Sequence, residues 1–436
     1  MKPGQRAEPS SAVSLKKKML GESRVPAAGR LHWLLWSTVF LAPVLGWFSA
    51  VCMLAAACWW CLKTGPRRAV FDAGEGAGRW MAAIALGWWL VLMGGDLLAT
   101  QPSAWWADFR FLLVILPALL LRPVLQQAGI THLQLGRWAT WSVWVTVAVI
   151  GLEYLITVQW LGMVHHRPRA LSGNALFVSV MLVPMMLLCW LSTPSSQRRW
   201  WWRPLATYLA GIACLALLLG ARTATLIAIA LLPLPLLWLQ RDRAWLQRLR
   251  PLTIAVAALA LVLVLSGPWM SGWYEQRWGA LIQVLTGADP AALQDYGIAT
   301  RAQHWPAAWQ AFLERPWLGH GFINETQVLG QHLPAGAPVL PTAHQQFLSF
   351  LLWSGLPGLV TGCLLIALPV LAAVGRQQGA TAVYAAMALA APTLLNGMTD
   401  TVFDDLRIVS CHLMMVVVLN SVVEAPATPG PPRAPT

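Results

Sequence analysis

The chain alternates long apolar runs with short breaks that carry Lys and Arg, and this pattern covers most of its 436 residues. Many runs are about 15–20 residues long, which suits helices that cross the hydrocarbon core of a bilayer. Trp residues flank many of the breaks, as is typical of a bilayer interface. The pattern predicts an all-α integral membrane protein with about twelve transmembrane helices.

The first apolar stretch, Trp33 to Leu62, is too long for one upright helix. Pro43 and Gly46 lie in its middle, where a turn can form, and both flanks are basic. Because basic flanks favour the cytoplasmic side, we expect this stretch to cross and return as two short helices. The other spans are expected at about 80–95, 109–121, 138–160, 175–191, 205–220, 223–239, 252–266, 356–374, 381–395 and 408–423.

One polar segment, from about Gly267 to His344, interrupts the apolar pattern and holds four of the nine histidines. It lies between spans 9 and 10, so it is expected to form a large loop outside the membrane. We therefore predict a disordered cytoplasmic tail at 1–30, spans 1–9 at 31–266, the loop at 267–345, a re-entrant helix with spans 10–12 at 346–423, and a cytoplasmic tail at 424–436.

Composition and charge agree with a membrane protein. Hydrophobic residues make up 57% of the chain and charged residues only 11%, whereas about 25% of residues are charged in soluble proteins. A net charge of +13 suggests nucleic acid in a soluble protein, but here the basic residues concentrate in alternate breaks. The positive-inside bias places both termini in the cytoplasm and the polar loop on the other side.

Several function classes lack their motifs. Walker, GxGxxG, HExxH and GxSxG patterns are absent, so ATP hydrolysis and serine or zinc hydrolysis have no support. The seven cysteines lie in or next to apolar runs, and the CxxC from Cys58 to Cys61 has no second pair. This pattern is typical of buried thiols. We expect no metal site and no cofactor.

Two arginines on the outer side stand against the topology bias. Arg222 lies in a very short turn between two spans, and Arg301 lies in the polar loop before the apparent helix HWPAAWQAFLE. Snorkelling to headgroups explains Arg222 and a solvated surface explains Arg301, but guanidinium also binds phosphate bidentately. We expect Arg301 at the N-terminal end of that helix, near amides that favour an anion. Trp305, Ala308, Trp309 and Phe312 are spaced to form its packed face.

Three further polar positions lie on the same side. His344 sits where the loop returns to the membrane, and it is either structural or a base for a hydroxyl group. Arg169 belongs to a second basic patch that headgroup binding also explains. Asp400, Asp404 and Asp405 form an acidic cluster, for which a solvated turn is the simpler interpretation than a metal site.

Taken in order, these residues resemble the O-antigen ligase and O-antigen polymerase superfamily of bacterial inner membranes. The resemblance covers roughly 167–374 and rests on Arg169 to Asn174 before a span, Gly220-Ala-Arg222-Thr between two spans, Arg301…Trp305…Ala308, Pro316-Trp-Leu-Gly319-His-Gly321, and His344-Gln-Gln-Phe-Leu348…Gly355-Leu-Pro-Gly358. The chain departs from the family pattern at Gln345, where Asn is common, and after Asn174, where Pro is usual.

The resemblance implies a GT-C-like, inverting, metal-independent glycosyltransferase of the bacterial inner membrane, with its active site in the periplasm. Its donor is a glycan on undecaprenyl diphosphate. Arg222 and Arg301, with Arg169, then bind the donor diphosphate. His344 is the essential histidine of the loop, catalytic together with Arg222 and Arg301, and Asp400 supports it.

Three acceptors of the glycan are compatible with the resemblance. A ligase transfers the glycan to the lipid A-core sugar, a polymerase of the superfamily to another glycan repeat, and a third relative to a protein hydroxyl. The motif pattern favours the ligase, and the tail after the last span is short for the third. A transporter is a different class, but charges deep in the membrane are typical of transporters. Glu153 is the one deep candidate here.

Overall fold

The computed structural model describes residues 40–65, 77–99, 105–163, 168–193, 200–239, 296–376 and 378–422, with 279, 282–283 and 286–287. Helices account for most of these residues, and none of the described residues forms a strand. The all-α prediction is therefore confirmed. The expected ninth span, 252–266, and most of 267–295 lie outside the described residues.

Fourteen α-helices are described, and they are numbered in chain order. They are α1 (Ala42–Leu45), α2 (Trp47–Thr64), α3 (Ala77–Leu98), α4 (Trp105–Ala128), α5 (His132–Tyr154), α6 (Ala175–Leu188), α7 (Trp202–Ala213), α8 (Arg222–Leu231), α9 (Pro233–Leu239), α10 (Tyr296–Glu314), α11 (Glu325–His332), α12 (Gln346–Gly375), α13 (Ala380–Gly397) and α14 (Leu406–Ser421). Short π or 3-10 segments are Leu155–Trp160, Ala170–Ser172, Cys189–Ser192 and Cys214–Leu218.

Five described helices are long and apolar enough to cross a membrane: Gly78–Leu98, His132–Trp160, Ala175–Ser192, Gln346–Gly375 and Ala380–Gly397. Four shorter apolar helices are Ala50–Lys63, Trp202–Leu218, Arg222–Trp238 and Leu406–Ser421. Each coincides with an expected span, so the chain is a membrane-embedded helical protein. The total of about twelve spans stays a prediction.

The first apolar stretch is interrupted near its expected turn. Helix α1 ends at Gly46, which has φ 54° and ψ −115°, and α2 begins directly after it. Gly46 lies against the backbone of Ser172, which follows the break between α5 and α6. The interruption therefore lies at one end of the helical bundle. The first part of the stretch, 33–39, lies outside the described residues.

Glu153 is bonded to the connection between α5 and α6. Its carboxylate accepts hydrogen bonds from the backbone N–H groups of Arg169 (3.0 Å) and Ala170 (2.7 Å). The helical segment continues past Glu153 as the π turn Leu155–Trp160. These bonds give Glu153 a structural role in holding the connection, and its depth in the membrane stays a prediction.

Helix α12 contains a sharp bend that separates a short first part from the expected tenth span. Ser354 (φ −148°, ψ 22°) and Gly355 (φ 64°, ψ −153°) have non-helical backbone angles. Gly362 lies against the ring of Phe350, although twelve residues along a straight helix extend about 18 Å. The chain therefore folds back at this bend, and the part before it, from Gln346 to Trp353, forms a separate short helix.

A closed ring of aromatic contacts joins the helices beneath this bend. The centroid distances around the ring lie between 4.8 and 6.3 Å, and most of the members are fully buried. It joins α3, α4, the segment after α10, the start of α12 and the 398–405 loop through Trp88, Phe111, Phe322, Trp353, Phe350 and Phe403. This core fixes the segment after α10, the start of α12 and the 398–405 loop relative to one another.

Candidate active site

His344 and Asp400 form the centre of the candidate site. The Nδ1–H of His344 donates to Oδ1 of Asp400 at 2.8 Å, although the two residues are 56 positions apart. Their side chains remain 29% and 15% exposed. His344 has φ 51°, in the left-handed region that side chains other than glycine rarely occupy. Such backbone strain persists where the surrounding structure holds it, often at functional sites.

Arg301 completes a three-residue cluster. Its Nε–H donates to the carbonyl of Thr399 at 2.9 Å, and one terminal N–H lies 3.5 Å from Oδ2 of Asp400. A second terminal nitrogen donates to the carbonyl of Gly297 at 2.8 Å. Asp400 thus contacts His344 with one oxygen and Arg301 with the other. The structure therefore brings Arg301, His344 and Asp400 together.

The expected position of Arg301 at a helix N-terminus was wrong. Helix α10 begins at Tyr296, so Arg301 lies inside it and its guanidinium reaches carbonyl oxygens rather than amides. The expected packed face was also partly wrong, because Trp305 and Trp309 are 36% and 49% exposed. The buried face is rotated and consists of His304, Ala307, Ala308, Ala311 and Phe312. Small residues let α10 pack closely, which aromatic spacing did not indicate.

A buried carboxylate holds the backbone next to His344. Glu325 is 2% exposed and accepts hydrogen bonds from the N–H of Ala343 (2.8 Å), the hydroxyl of Ser349 (2.7 Å) and the indole of Trp353 (2.6 Å). These donors satisfy both carboxylate oxygens. Burial raises the pKa of Glu325, and the three hydrogen bonds oppose that shift. Glu325 therefore ties the strained residue to the short helix that follows it.

Two glutamines after His344 hold the helix and the acidic loop. Gln345 is the N-cap of α12, because its side chain accepts from the N–H of Leu348. The side-chain oxygen of Gln346 accepts from the N–H groups of Val402 and Phe403, both at 2.6 Å. The departure from the common Asn at Gln345 therefore keeps a capping role, which Asn also performs.

The acidic cluster is not a solvated turn, so that interpretation was wrong. Asp400 is bonded as described, and Asp405 caps α14 while pairing with Arg407. Burial raises the pKa of Asp404 to about 7, with a smaller contribution from the neighbouring carboxylates Glu325, Asp405 and Asp400, while His344 opposes the shift. Within the part of the chain that the structure describes, no group of three or more metal-binding side chains is placed to hold a metal ion.

The motif Pro316 to Gly321 is a backbone junction with α12. The N–H groups of His320 and Gly321 donate to the carbonyls of Leu352 and Trp353, and the N–H of Leu356 donates to Pro316. Gly319 (φ 66°) and Gly355 (φ 64°) approach so closely that a Cβ on either meets backbone atoms at 2.5 Å. Glycine is therefore required at both positions. The junction fixes α10, which carries Arg301, against the helix that follows His344.

The other three described histidines of the polar segment have structural bonds. His304 bonds to the carbonyl of Thr300 and accepts from the N–H of Leu340, and His320 bonds to the carbonyl of Ala311. Burial lowers the pKa of both. His332 bonds to the carbonyl of Val328 and to the exposed carboxylate of Glu314. The bond to Val328 raises the pKa of His332 most, and Glu314 raises it further.

Arg222 lies at the same end of the bundle as Asp400. Helix α8 packs against α13, and near the other end Trp238 of α9 stacks on Tyr384 of α13 with ring centroids 4.6 Å apart. Arg222 lies sixteen residues before Trp238, about 24 Å at the helical rise, and α13 extends about 20 Å from Tyr384 to its end at Gly397, just before Asp400. Arg222 is half-buried at the first position of α8. The described contacts do not join its guanidinium to His344.

Arg169 lies in a different loop. Its backbone is held by Glu153, its side chain is exposed, and Asn174 caps α6. Arg407, two residues after Asp405, donates to the carbonyl of Ser172 and ties this loop to the acidic loop. The capping role of Asn174 explains why the motif from Arg169 to Asn174 ends in a polar residue. The described contacts do not bring the Arg169 side chain to the His344–Asp400 pair.

Comparison with protein families identifies the segment that holds most of these residues. Residues 205–363 match the family model described as O-antigen ligase. The match supports a similarity of this segment to the O-antigen ligase/polymerase superfamily. The matched segment contains Arg222, Arg301 and His344, whereas Arg169 and Asp400 lie outside it. The resemblance predicted from the motifs is confirmed for these residues. No curated protein matches the chain.

Sequence reasoning missed Glu325 and Gln346. Glu325 is one of several polar residues in the polar segment, and its burial depends on donors from three other residues of the chain, Ala343, Ser349 and Trp353. A weak signal was present, since α11 begins at Glu325 with apolar positions Val328 and Leu329 on the same face. Gln346 carried no signal, because a second glutamine beside Gln345 reads as an ordinary polar residue.

Proposed function

We propose that this protein is an O-antigen ligase, which moves a glycan from undecaprenyl diphosphate to a sugar of the lipid A-core. The observation that carries the proposal is the His344–Asp400–Arg301 cluster at one end of a membrane-embedded bundle. It combines a histidine held in one tautomer with a guanidinium, and the family match covers both residues. We also propose about twelve spans in a GT-C-like arrangement, in the bacterial inner membrane, with this end in the periplasm.

His344 is the proton acceptor in the proposed reaction. With Nδ1–H donating to Asp400, the lone pair of the neutral ring lies on Nε2. The acceptor hydroxyl attacks the anomeric carbon of the donor sugar and gives its proton to Nε2. The bond from that carbon to the diphosphate oxygen breaks, and the electron pair leaves with the diphosphate. Asp400 then stabilises the imidazolium, as a positioning carboxylate does in other histidine bases.

The arginines bind the charge of the leaving diphosphate. Arg301 has five N–H groups, and its described bonds use three of them. The other two belong to the terminal nitrogens, whose fork matches two phosphate oxygens. Arg222 supplies a second guanidinium at the same height, and Arg169 contributes through its exposed side chain. Stabilising charge that develops in the transition state lowers the barrier directly.

The experiment replaces each of Arg222, Arg301 and His344 with Ala in a strain that lacks the protein. Loss of glycan attachment to lipopolysaccharide, with each variant present in the membrane at the wild-type amount, is the expected result. Trp309→Ala is the control, because Trp309 is exposed on α10 and outside the cluster. Normal attachment in all three variants contradicts the proposal.

A second readout separates the ligase from the polymerase and from protein transfer. In a strain without the protein, a ligase defect leaves free lipid-linked polymer and unmodified lipid A-core. A polymerase defect leaves core that bears a single repeat, and a protein glycosyltransferase defect leaves lipopolysaccharide unchanged. Either of the last two outcomes contradicts the ligase proposal and favours the polymerase or the protein glycosyltransferase instead. Activity that EDTA abolishes and Mg²⁺ restores contradicts the metal-independent mechanism.

A further inference from the structure

A separate groove lies between the beginning of α3 and the end of α12. Its volume is about 580 Å³. Its walls are mainly apolar, and two arginines stand at its end. The lining residues are Arg79, Trp80, Met81, Ile84, Leu368, Leu371, Ala372, Gly375 and Arg376.

The groove is far from the candidate active site. Arg376 lies twenty residues after Leu356, so it is about 30 Å along α12 from the bend that adjoins His344. Arg79 is near the first residue of α3, whereas the last turns of α3 pack at the bend, where Gly95 touches the carbonyl of Trp353. The groove therefore lies at the opposite end of the bundle and cannot hold the glycan donor of the same site.

The groove combines three features of a lipid site. Its apolar wall faces outward, since Trp80 is 75% exposed and Leu371 is 45% exposed. A Trp next to an arginine marks the level of the headgroups. Both arginines are themselves exposed, and Arg376 is oriented by a hydrogen bond of 2.5 Å to the carbonyl of Asn420 on α14.

We propose that this groove binds an anionic phospholipid from the leaflet on that side of the membrane. The phosphate lies between the guanidinium groups of Arg79 and Arg376, and an acyl chain lies along Trp80 and Leu371 towards Ile84. Two guanidinium groups complement one phosphate with charge-assisted hydrogen bonds. A single snorkelling arginine needs no groove, whereas here the apolar wall continues below both charges.

The experiment uses the full chain purified in detergent and exposed to mixed micelles of phosphatidylglycerol and phosphatidylcholine. Native mass spectrometry counts the lipids retained on the wild type and on the double variant Arg79→Gln/Arg376→Gln. We expect preferential retention of phosphatidylglycerol on the wild type and about a tenfold loss in the double variant, because two charge-assisted contacts are removed. Arg79→Lys/Arg376→Lys keeps the charge and is expected to retain part of the preference.

Two further variants separate the groove from general basicity. Arg203→Gln is the matched control, because Arg203 also stands beside an interfacial ring, 4.1 Å over Trp200, but does not line the groove. Ala372→Phe fills the groove without changing charge and is expected to lower retention as well. Equal retention of both lipids by the wild type, or an equal loss in Arg203→Gln, overturns the proposal. No retained lipid at all also overturns it.

Discussion

The two ends of the helical bundle hold their charged side chains in different ways. At the end with His344, Arg301, Asp400 and Glu325 are half-buried or buried, and they are bonded across long sequence separations, as Arg301 is to Thr399 and Asp400. At the opposite end, Arg79 and Arg376 are exposed at helix ends beside an apolar groove. Held charges are preorganised for chemistry, whereas exposed ones suit a mobile lipid headgroup. The difference implies that substitutions at the first end affect rate and at the second affect lipid content.

The largest effect at the first end, after His344 itself, is expected for Asp400→Asn. The amide can present its NH2 group to Nδ1 and favour the tautomer that carries the proton on Nε2, so the proton acceptor is lost. We expect a rate of glycan attachment about 10²- to 10³-fold lower, with the donor KM nearly unchanged. Initial rates with purified protein and lipid-linked donor measure this.

The positioning role of Asp400 has its own control. Asp400→Glu keeps a carboxylate and is expected to recover part of the rate and the wild-type shape of the pH–rate profile. If Asp400→Asn lowers the rate only because the protein misfolds, less of the variant elutes as a single gel-filtration peak. An unaltered rate in Asp400→Asn contradicts the proposed role of Asp400 in holding His344.

A smaller effect is expected for Glu325→Gln. The amide nitrogen then faces one of the three donors Ala343 N–H, Ser349 O–H and Trp353 N–H, which leaves that donor without an acceptor. The free energy of unfolding is expected to fall by about 1–3 kcal/mol. Thermal unfolding in detergent measures the stability, and attachment per folded molecule measures how far His344 moves.

Glu314→Gln is the matched control for Glu325. Glu314 is an exposed carboxylate in the same region, so its loss is expected to change stability much less than the loss of Glu325 does. A rate per folded molecule that is equal in Glu325→Gln and the wild type limits Glu325 to a structural role. Equal melting temperatures for Glu325→Gln and Glu314→Gln contradict the proposed stabilising role of the hydrogen bonds to Glu325.

The smallest effect is a pH dependence of stability at Asp404. Its pKa is raised to about 7, so the native state keeps a proton that the unfolded carboxyl has lost, and this group lowers stability as pH rises from about 4 to about 7. Asp404→Asn has no such proton to lose. We expect its melting temperature to exceed that of the wild type at pH 8 by more than it does at pH 5.

Asp405→Asn is the contrasting variant. Asp405 is paired with Arg407 and caps α14, so its substitution is expected to lower the melting temperature at pH 8. A difference between Asp404→Asn and wild type that is the same at pH 5 and pH 8 shows that Asp404 is not a buried acid of raised pKa.

Sequence reasoning singled out Arg301 because arginine on the outer side opposes the positive-inside bias, and it singled out His344 and Asp400 because they lie on the same side. The expected start of the tenth span near Leu356 coincides with the bend at Ser354 and Gly355. Sequence reasoning misjudged α10, since Trp305 and Trp309 are apolar in any sequence pattern but here lie on the exposed face. Whether a face meets lipid or protein depends on its neighbours, which local spacing does not contain.

The sequence by itself determined the all-helical membrane architecture, because burial of backbone polar groups in a bilayer requires helices and their length follows from bilayer thickness. Its motifs also indicated the family whose model matches residues 205–363. Only the tertiary structure decided that His344 bonds to Asp400 and that the buried Glu325 bonds to the backbone of Ala343. These bonds join residues up to 56 positions apart. Such contacts depend on how helices pack and where loops close. Hydropathy reports the environment of a segment, whereas a site requires the relative position of several segments.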